Sequence, residues 1–459
     1  MNGHPANDPG LLSPAGAALL VDLYELTMSA SYLARGLTED ATFELFARRL
    51  PPRRDWLLAA GLGPTLELLR ELRFGERELE YLRSLDMFDE TFLDYLGEFR
   101  FKGDVDGIPE GTITFANEPL LRVTAPLIEA QLVETVLLNQ INFQTMIATK
   151  AARIVLAAGG GAPGAGDCVV DFSPRRDHGT DAAMKVARSA AVAGCGGTSN
   201  VAAAKRYRLR PVGTMAHSYV LAFDNESESF RCFIESFPDH ATLLVDTYDP
   251  IDGVRNAIAA ARDAGVTLAG IRLDSGDLLA LSREARRLLD EAGMTDAHIA
   301  ASGDLEEGRI AELVGADAPI DLWGVGTDLG TSRDSPVVNG VYKLVARRRD
   351  GDWQGVWKRS ADKATVPGAK QVLRRYSDGE MRGDVIAAVD EDVDGQPLLR
   401  PAMRSGEITA AESLDEIRER SAAELAALPE ELRRPGGAPA PEPYPVRYSE
   451  RLQALIDAG

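Results

Sequence analysis

Ala269-Gly270-Ile271-Arg272-Leu273-Asp274-Ser275-Gly276-Asp277 carries the pattern that sets the architecture of the middle of the chain. Its first five residues are a short, largely apolar run suited to a buried strand, and the run stops in a polar loop carrying a glycine. The same rhythm recurs along the middle of the chain. β-rich runs at 167–172, 212–215, 242–245, 299–301 and 321–325 each end in glycine or polar residues and give way to helical stretches. Their separations leave room for the helical crossover that parallel strands require. A βα series of this kind makes either a barrel or an open doubly wound sheet. No GxGxxG opens the first unit, which counts against a dinucleotide-binding sheet. The expected fold class is α/β, an irregular (incomplete) β/α barrel, with a second α+β domain formed from the N- and C-terminal parts of the chain.

Residues 1–16 are rich in Gly, Pro, Asn and Ala and read as a loose surface segment. Residues 17–135 supply the N-terminal part of the α+β domain, with a helix at 17–33, a strand at 42–48 and helices at 64–72, 76–85 and 90–99. A long helical pattern, broken once, runs from Pro126 to Ala158. Residues 136–338 hold the barrel and 339–430 return to the α+β domain, ending in a charged helix at 413–427. Ser413 and Glu416 stand there at capping-box spacing. A Pro/Gly-rich linker and a terminal helix make up 431–459.

Composition narrows the function. The 459 residues carry 50 basic and 71 acidic side chains, a formal net charge of -21. Such a surface repels nucleic acid and anionic lipid, so neither is an expected partner. An anionic substrate has to be drawn in by a locally basic pocket. The three cysteines show no metal or CxxC spacing, which fits a reducing cytoplasm rather than a disulfide framework. No signal sequence or membrane-spanning stretch is evident.

In barrels, chemistry lies on the loops after the C-terminal ends of the strands. Read as a set, these loops hold the candidates. After the first strand come Phe172-Ser173-Pro174-Arg175-Arg176-Asp177-His178-Gly179, whose arginines are either solvated or aimed at a carboxylate or pyrophosphate. Gly196-Gly197-Thr198-Ser199-Asn200 reads equally as an anion loop or a helix N-cap. Gly213-Thr214-Met215-Ala216-His217-Ser218 places one of only five histidines where a strand hands over to its loop, a position for nucleophile or base work. Asp246-Thr247-Tyr248-Asp249 follows. Asp274 and Asp277 bracket Ser-Gly beside Arg272, a pattern for magnesium or ribose hydroxyls, although an N-cap accounts for one of them. Ser302-Gly303-Asp304 and Gly324-Val325-Gly326-Thr327 offer unobstructed backbone N–H groups to a terminal phosphate. Together the loops suit a phosphorylated ribose with a magnesium-bound leaving group, and His217 lies within reach.

Here the residues resemble a known family. Asp22-Leu23-Tyr24-Glu25-Leu26-Thr27-Met28, Gly197-Thr198-Ser199-Asn200, Gly213 to Ser218, Arg272 to Asp277, Gly340-Val341-Tyr342-Lys343-Leu344 and Pro367 to Val372 are similar, in consistent order, to nicotinate phosphoribosyltransferases. The resemblance implies formation of nicotinate mononucleotide and pyrophosphate from nicotinate and phosphoribosyl pyrophosphate. It also implies ATP hydrolysis coupled through a phosphorylated His217, with Mg2+ present. Tyr24, Thr214 and Arg272 match nicotinate contacts, and Thr327 matches a contact of the phosphoribosyl donor. A homodimer is implied, with the Asp22/Tyr24 segment reaching a neighbour's site. On this reading Asp274 and Arg176 join His217 in catalysis, and Asp274 with Asp277 hold the metal. Phe172, Arg175, Ser218, Ser302, Gly303 and Gly326 line the substrates. Lys150 and Arg153 are further cations available to the leaving group.

Two segments depart from the family pattern: Asp328 follows Thr327 where Asn is expected, and the loop after the first strand differs more widely. Where Phe-Gly-x-Arg-Arg-Ala-Gln-Gly is expected, Pro174 stiffens the approach and Asp177 adds a negative charge beside the arginines. The alternatives are a nicotinamide or quinolinate phosphoribosyltransferase, or a non-catalytic barrel that binds sugar phosphates.

Overall fold

The computed structural model describes residues 15–159, 165–358, 365–409, 411–434 and 442–458. Most of the loose N-terminal segment and of the Pro/Gly-rich linker read from the sequence lies outside the described residues. The chain divides into two compact units, one drawn from both ends of the chain and the other from its middle, Ile147–Pro336. Among the described residues no helix is long and apolar enough to cross a membrane.

The first unit is α+β. Its antiparallel seven-stranded sheet runs in the order Asp352–Gly355, Gly340–Arg349, Asp40–Ala47, Pro119–Pro126, Asp104–Gly107, Arg400–Arg404 and Glu407–Ile408. The strand Asp40–Ala47 pairs with Gly340–Arg349 on one side and Pro119–Pro126 on the other, so the two ends of the chain share one sheet. Phe43 stacks on Tyr342 across that pair, ring centroids 4.8 Å apart, a contact adding about 1 kcal/mol to the area buried. The polar–apolar alternation at 42–46 suggests a half-exposed strand, yet both faces are buried. Glu44 is fully buried because Lys370 closes on it, Nζ 2.7 Å from Oε2, while the Lys370 backbone N–H donates to Oε1 at 2.7 Å. A second sheet, Gln396–Pro397, Lys370–Ser377, Glu380–Ala388 and Val446–Tyr448, was not anticipated from the sequence; the tail supplies its last strand.

One helical expectation needs adjusting, and the other, a single break after Pro126, is met. The pattern at 17–33 splits into a 3-10 turn, Ala15–Leu19, and a helix, Leu23–Ala34, because Asp22 takes extended backbone angles at the N-cap. The long pattern after Pro126 breaks at Val133 into Leu127–Leu132 and Glu134–Ala157.

The second unit holds a six-stranded, all-parallel sheet in the order Gly197–Thr198, Val169–Asp171, Leu322–Val325, His298–Ala301, Gly270–Leu273 and Thr242–Leu244. Within this unit the last strand in chain order thus pairs with the first, Trp323, Gly324 and Val325 lying beside Val169, Val170 and Asp171. Joining first to last is what closes a barrel. Pro211 adds a parallel bridge to Thr198, and among the described residues no pairing joins that segment to Thr242–Leu244. The architecture is therefore a β/α barrel open at one seam. The expected strand at 212–215 is absent: only Pro211 pairs, and the chain then passes without regular structure to a short helix, His217–Val220.

Local chemistry sets the helices between these strands. Asp249 caps Pro250–Ala264 by accepting from the N–H groups of Ile251 and Asp252, Pro250 occupies the first turn, and Gly265 ends it with φ +66°. Val254, Ala257, Ile258 and Ala261 form the buried stripe, and burying each larger aliphatic side chain contributes about 2 kcal/mol. Gly253 lets this helix press on the sheet: a Cβ there would sit 2.0 Å from the carbonyl oxygen of Val245.

Candidate active site

The loops after the strands of the second unit emerge at one edge of the parallel sheet, and the structure ties several of them together. Asp274 follows the strand Gly270–Leu273. Its backbone N–H donates to Oδ2 of Asp246, at 2.8 Å, and the Ser275 hydroxyl reaches the same oxygen, also at 2.8 Å. Asp246 follows the neighbouring strand Thr242–Leu244, so one carboxylate locks two loops. Ser302, from the next strand, donates to Asp274 Oδ1. Gly303 fits against the same loop only because it lacks a side chain, since a Cβ would lie 1.8 Å from the Asp274 carbonyl oxygen.

His217 opens its short helix beside this cluster. Nδ1 is 3.1 Å from Thr247 Oγ1, and Nε2 is 3.8 Å from Asp274 Oδ2. The ring is therefore oriented on one side by a hydroxyl and faces a carboxylate on the other. Ser218 follows it and is exposed. Thr214 accepts from Nη1 of Arg272 at 2.8 Å. Burial is the main influence on Arg272, pulling its pKa below the ordinary guanidinium range; Asp274 and Asp246 oppose this, and the charge of Arg175 adds to it. Arg272 Nε is buried without a hydrogen-bond partner. A cation so placed, with a donor unused, is an anion acceptor in waiting.

Between the ends of Val169–Asp171 and Leu322–Val325, Phe172 lies across Gly324, where a Cβ would come within 2.4 Å of its ring. Its N–H donates to the Val325 carbonyl at 2.8 Å. Gly326 and Thr327 then start the turn Thr327–Thr331. Arg175 and Arg176 are exposed on the turn that follows Phe172.

Other expected site residues are placed differently. Asp277 caps the helix Leu278–Glu291 through the N–H groups of Leu279 and Ala280, so its carboxylate is engaged by backbone. Gly197–Thr198 is a strand, and Asn200 caps Val201–Tyr207, so the N-cap alternative for that loop prevails over the anion loop. Lys150 and Arg153 are not available to a leaving group. Both are buried, with Lys150 Nζ 2.5 Å from Glu307 and 3.0 Å from Asp334, and Arg153 Nε 3.0 Å from Glu307. Asp22 and Tyr24 belong to the first unit, where both are exposed. The Tyr24 hydroxyl is pushed above its ordinary range, first by burial and then by Glu134 and Glu25.

Asp246 and Thr247 carry more of the geometry than their sequence suggests. The signal was present, an Asp-Thr pair one residue beyond a strand, but nothing in the pattern separated it from the N-cap Asp249 two residues on. Among the described residues, no three His, Cys, Asp or Glu side chains gather into a metal cage. Magnesium that arrives with a diphosphate needs only one or two protein carboxylates. Asp274 with Asp246 meets that need, since Asp246 Oδ1 is buried and unpartnered, while Asp277 spends one oxygen, Oδ1, on its helix cap.

Comparison with known proteins matches this arrangement. Residues 19–142 match the nicotinate phosphoribosyltransferase N-terminal domain, 168–300 the nicotinate phosphoribosyltransferase family and 391–456 its C-terminal domain. A nicotinate phosphoribosyltransferase of Mycobacterium tuberculosis is 46% identical over 439 residues, covering 95% of this chain and 92% of its own. That of Bacillus subtilis is 44% identical over 391 residues, 83% and 78% of the two chains. The crystal structure of human nicotinic acid phosphoribosyltransferase superposes with a TM-score of 0.83 at 27% identity, covering 95% of this chain and 99% of that one. On its sequence, its open barrel and its clustered loops alike, the chain belongs to the nicotinate phosphoribosyltransferase family.

Proposed function

We propose that the barrel mouth transfers a phosphoribosyl group from phosphoribosyl pyrophosphate to nicotinate, and that ATP hydrolysis drives the transfer through a phosphohistidine at His217. The pyridine nitrogen attacks C1 of the ribose; the C1–N bond forms as the C1–O bond to pyrophosphate breaks. Positive charge grows on the sugar and negative charge on the departing pyrophosphate. Arg272 and Arg175 meet the negative charge, with Arg176 beside them, and Gly326 and Thr327 take the 5-phosphate. Asp274 and Asp246 would hold Mg2+, which supplies charge neutralisation to the diphosphate. Phe172, Thr214, Ser302, Gly303 and Ser218 shape the pocket around the two substrates.

In the coupling half-reaction a ring nitrogen of His217 attacks the γ-phosphorus of ATP, ADP leaves, and water later releases phosphate from the ring. The observation that carries this reading is the imidazole fixed between Thr247 and Asp274 at the same mouth as Arg272. Asp22 and Tyr24 act in a homodimer, reaching a neighbouring subunit's ring pocket; the exposure of Leu23 and Tyr24, 50% and 46%, supports this. The three cysteines, Cys168, Cys195 and Cys232, in no metal or CxxC spacing, support a cytoplasmic setting.

The test compares nicotinate, nicotinamide and quinolinate with and without ATP. Nicotinate mononucleotide made from nicotinate alone, and stimulated by ATP, is expected. His217→Ala should remove the stimulation without lowering Tm. Stimulation that survives the substitution removes the phosphohistidine.

A further inference from the structure

The turn that carries Arg175 and Arg176 is held by a group the reaction does not use. Asp171, at the end of its strand, is buried and accepts three hydrogen bonds. They come from Ser173 N–H at 2.9 Å, Ser173 Oγ at 2.6 Å and Thr198 Oγ1 at 2.7 Å. Thr198 is free to donate, because its oxygen already accepts from the Asn200 N–H. Asp171 is thus an acceptor at every contact, as a carboxylate is; burial raises its pKa, and the hydrogen bonds from Ser173 and Thr198 oppose the rise. The single Ser173 hydroxyl proton is committed to it.

Ser173 Oγ also lies 3.1 Å from Asp177 Oδ2. A hydroxyl has one proton, so this second contact is lone pair against lone pair unless Asp177 brings a proton of its own. Its other oxygen, Oδ1, is buried without a partner. It lies under Gly330, where a Cβ would come 2.0 Å from it. The surroundings favour the neutral acid: burial, then the charge of Asp171, pushes the Asp177 pKa up to about 7, against the Ser173 hydrogen bond. Asp171 is the charged side chain bearing on it. The turn Thr327–Thr331 presents Gly330 at the contact, Thr198 is spent on Asp171, and Arg176 and His178, its chain neighbours, are exposed.

We propose that Asp177 is a proton-dependent positioning residue: protonated, it pins the turn 174–177 to the strand end and holds Arg175 and Arg176 at the mouth; ionised, it is repelled by Asp171 and the turn loses its hold on an anion. The link to the mouth is Arg175, whose charge already bears on Arg272. The proposal rests on reading the mouth as the phosphoribosyl site. The sign follows from the neutral form being the one held. Anion binding is strongest below the folded pKa and weakens as pH rises through about 7, by up to about tenfold per unit for one linked proton.

The experiment uses the full chain and inorganic sulfate, a dianion throughout this range, with the KM for the phosphoribosyl donor as a second reading. Wild type, Asp177→Asn and Asp177→Ala are compared between about pH 6 and about pH 8.5. The amide of Asp177→Asn donates to Ser173 without a charge. It should bind sulfate as wild type does at the acid end and stay tight where wild type weakens; Asp177→Ala should be weaker throughout. Parallel pH profiles for wild type and Asp177→Asn overturn the proposal. If the asparagine variant misfolds, proton uptake on sulfate binding by wild type near pH 7.5 decides, compared in buffers of different ionisation enthalpy. Uptake supports the proposal and its absence overturns it. A wild-type chain that shows the sulfate effect but makes no nucleotide supports the proposal and removes the functional reading instead.

Discussion

His217 Nε2 faces Asp274 Oδ2 at 3.8 Å, outside hydrogen-bond range but close enough for the carboxylate to stabilise charge on the ring. The other ring nitrogen is spoken for, 3.1 Å from Thr247 Oγ1. Asp274 is itself held by Ser302 and, through its backbone, by Asp246. Three consecutive strand ends therefore converge on one imidazole. A loop histidine without that framework would sample several rotamers and reach a phosphoryl group in few of them.

From this follows a prediction for Thr247. Thr247→Val keeps the shape and removes the hydroxyl, which costs a hydrogen bond worth about 1 kcal/mol. Phosphohistidine formation from labelled ATP should slow by roughly fivefold, and Thr247→Ser should restore it. Equal labelling rates in Thr247→Val and wild type would show that the contact does not orient the ring.

Arg272 is the cation whose loss should hurt most. It is half-buried, bonded to Thr214 at 2.8 Å, and carries an unpartnered Nε. Arg272→Ala should lower kcat/KM by two to three orders of magnitude, roughly the 3–4 kcal/mol that one preorganised charge contact provides. Arg272→Lys should recover little of it, because an ammonium cannot reproduce the planar fork. Steady-state kinetics with the phosphoribosyl donor varied checks both.

Much of this was legible in the residues, and the failures have physical reasons. Glycines and acidic residues at strand ends marked the loops because parallel strands hand over to helices there and nothing else explains Asp274-Ser275-Gly276. The capping box of Ser413 and Glu416 is present as read, Ser413 accepting from the Glu416 N–H at 3.2 Å. Gly197–Thr198 escaped because a two-residue strand has no periodicity to detect. The strand expected at 212–215 is absent because Val212 and Met215 mimic a buried run where only Pro211 pairs. Lys150 and Arg153 looked like free cations because their partner Glu307 lies far along the chain, and sequence spacing carries no sign of that pairing.

The buried trio offers a prediction that separates structure from chemistry. Burial works to raise the Glu307 pKa, but Lys150 and Arg153 overcome it and hold it below the usual carboxylate range. Lys150→Met leaves Glu307 without its nearest cation in a dry site, which should cost about 3–5 kcal/mol in urea unfolding. The KM for the phosphoribosyl donor should stay within about twofold, within the noise of a contact not made. A large KM rise at unchanged stability would return Lys150 to the leaving-group site.

Gly253→Ala tests how closely the helix Pro250–Ala264 is pressed onto its strand. In a free helix alanine is favoured over glycine by about 1 kcal/mol. Here the new methyl would stand 2.0 Å from the Val245 carbonyl oxygen, one residue before Asp246. The expected outcome is reversed in sign, a loss of about 1–3 kcal/mol from overpacking. Activity should fall further than stability accounts for, because displacing Val245 moves Asp246 and with it the Asp274 loop. Unfolding curves and kcat on the same preparation read the two effects; a stabilised variant would mean that the helix stands off the strand.

Glu25, within the Asp22–Met28 segment, sets a stability-versus-pH signature. It is fully buried, accepts from Thr135 Oγ1 at 2.5 Å through one oxygen, and has no partner for the other. Burial lifts its pKa to about 7, Glu134 and Asp22 adding to the rise while Thr135 opposes it. The folded protein thus keeps a proton that the unfolded chain has released, so stability is full below about pH 4.5 and declines as pH climbs to about 7. Glu25→Gln cannot ionise and should lose less over that interval, by a difference on the order of 2 kcal/mol. Chemical unfolding of both proteins at about pH 5 and about pH 8 measures it. Curves that shift equally with pH would mean that Glu25 is already ionised in the folded chain, and that its unpartnered oxygen is met by a group this structure does not contain.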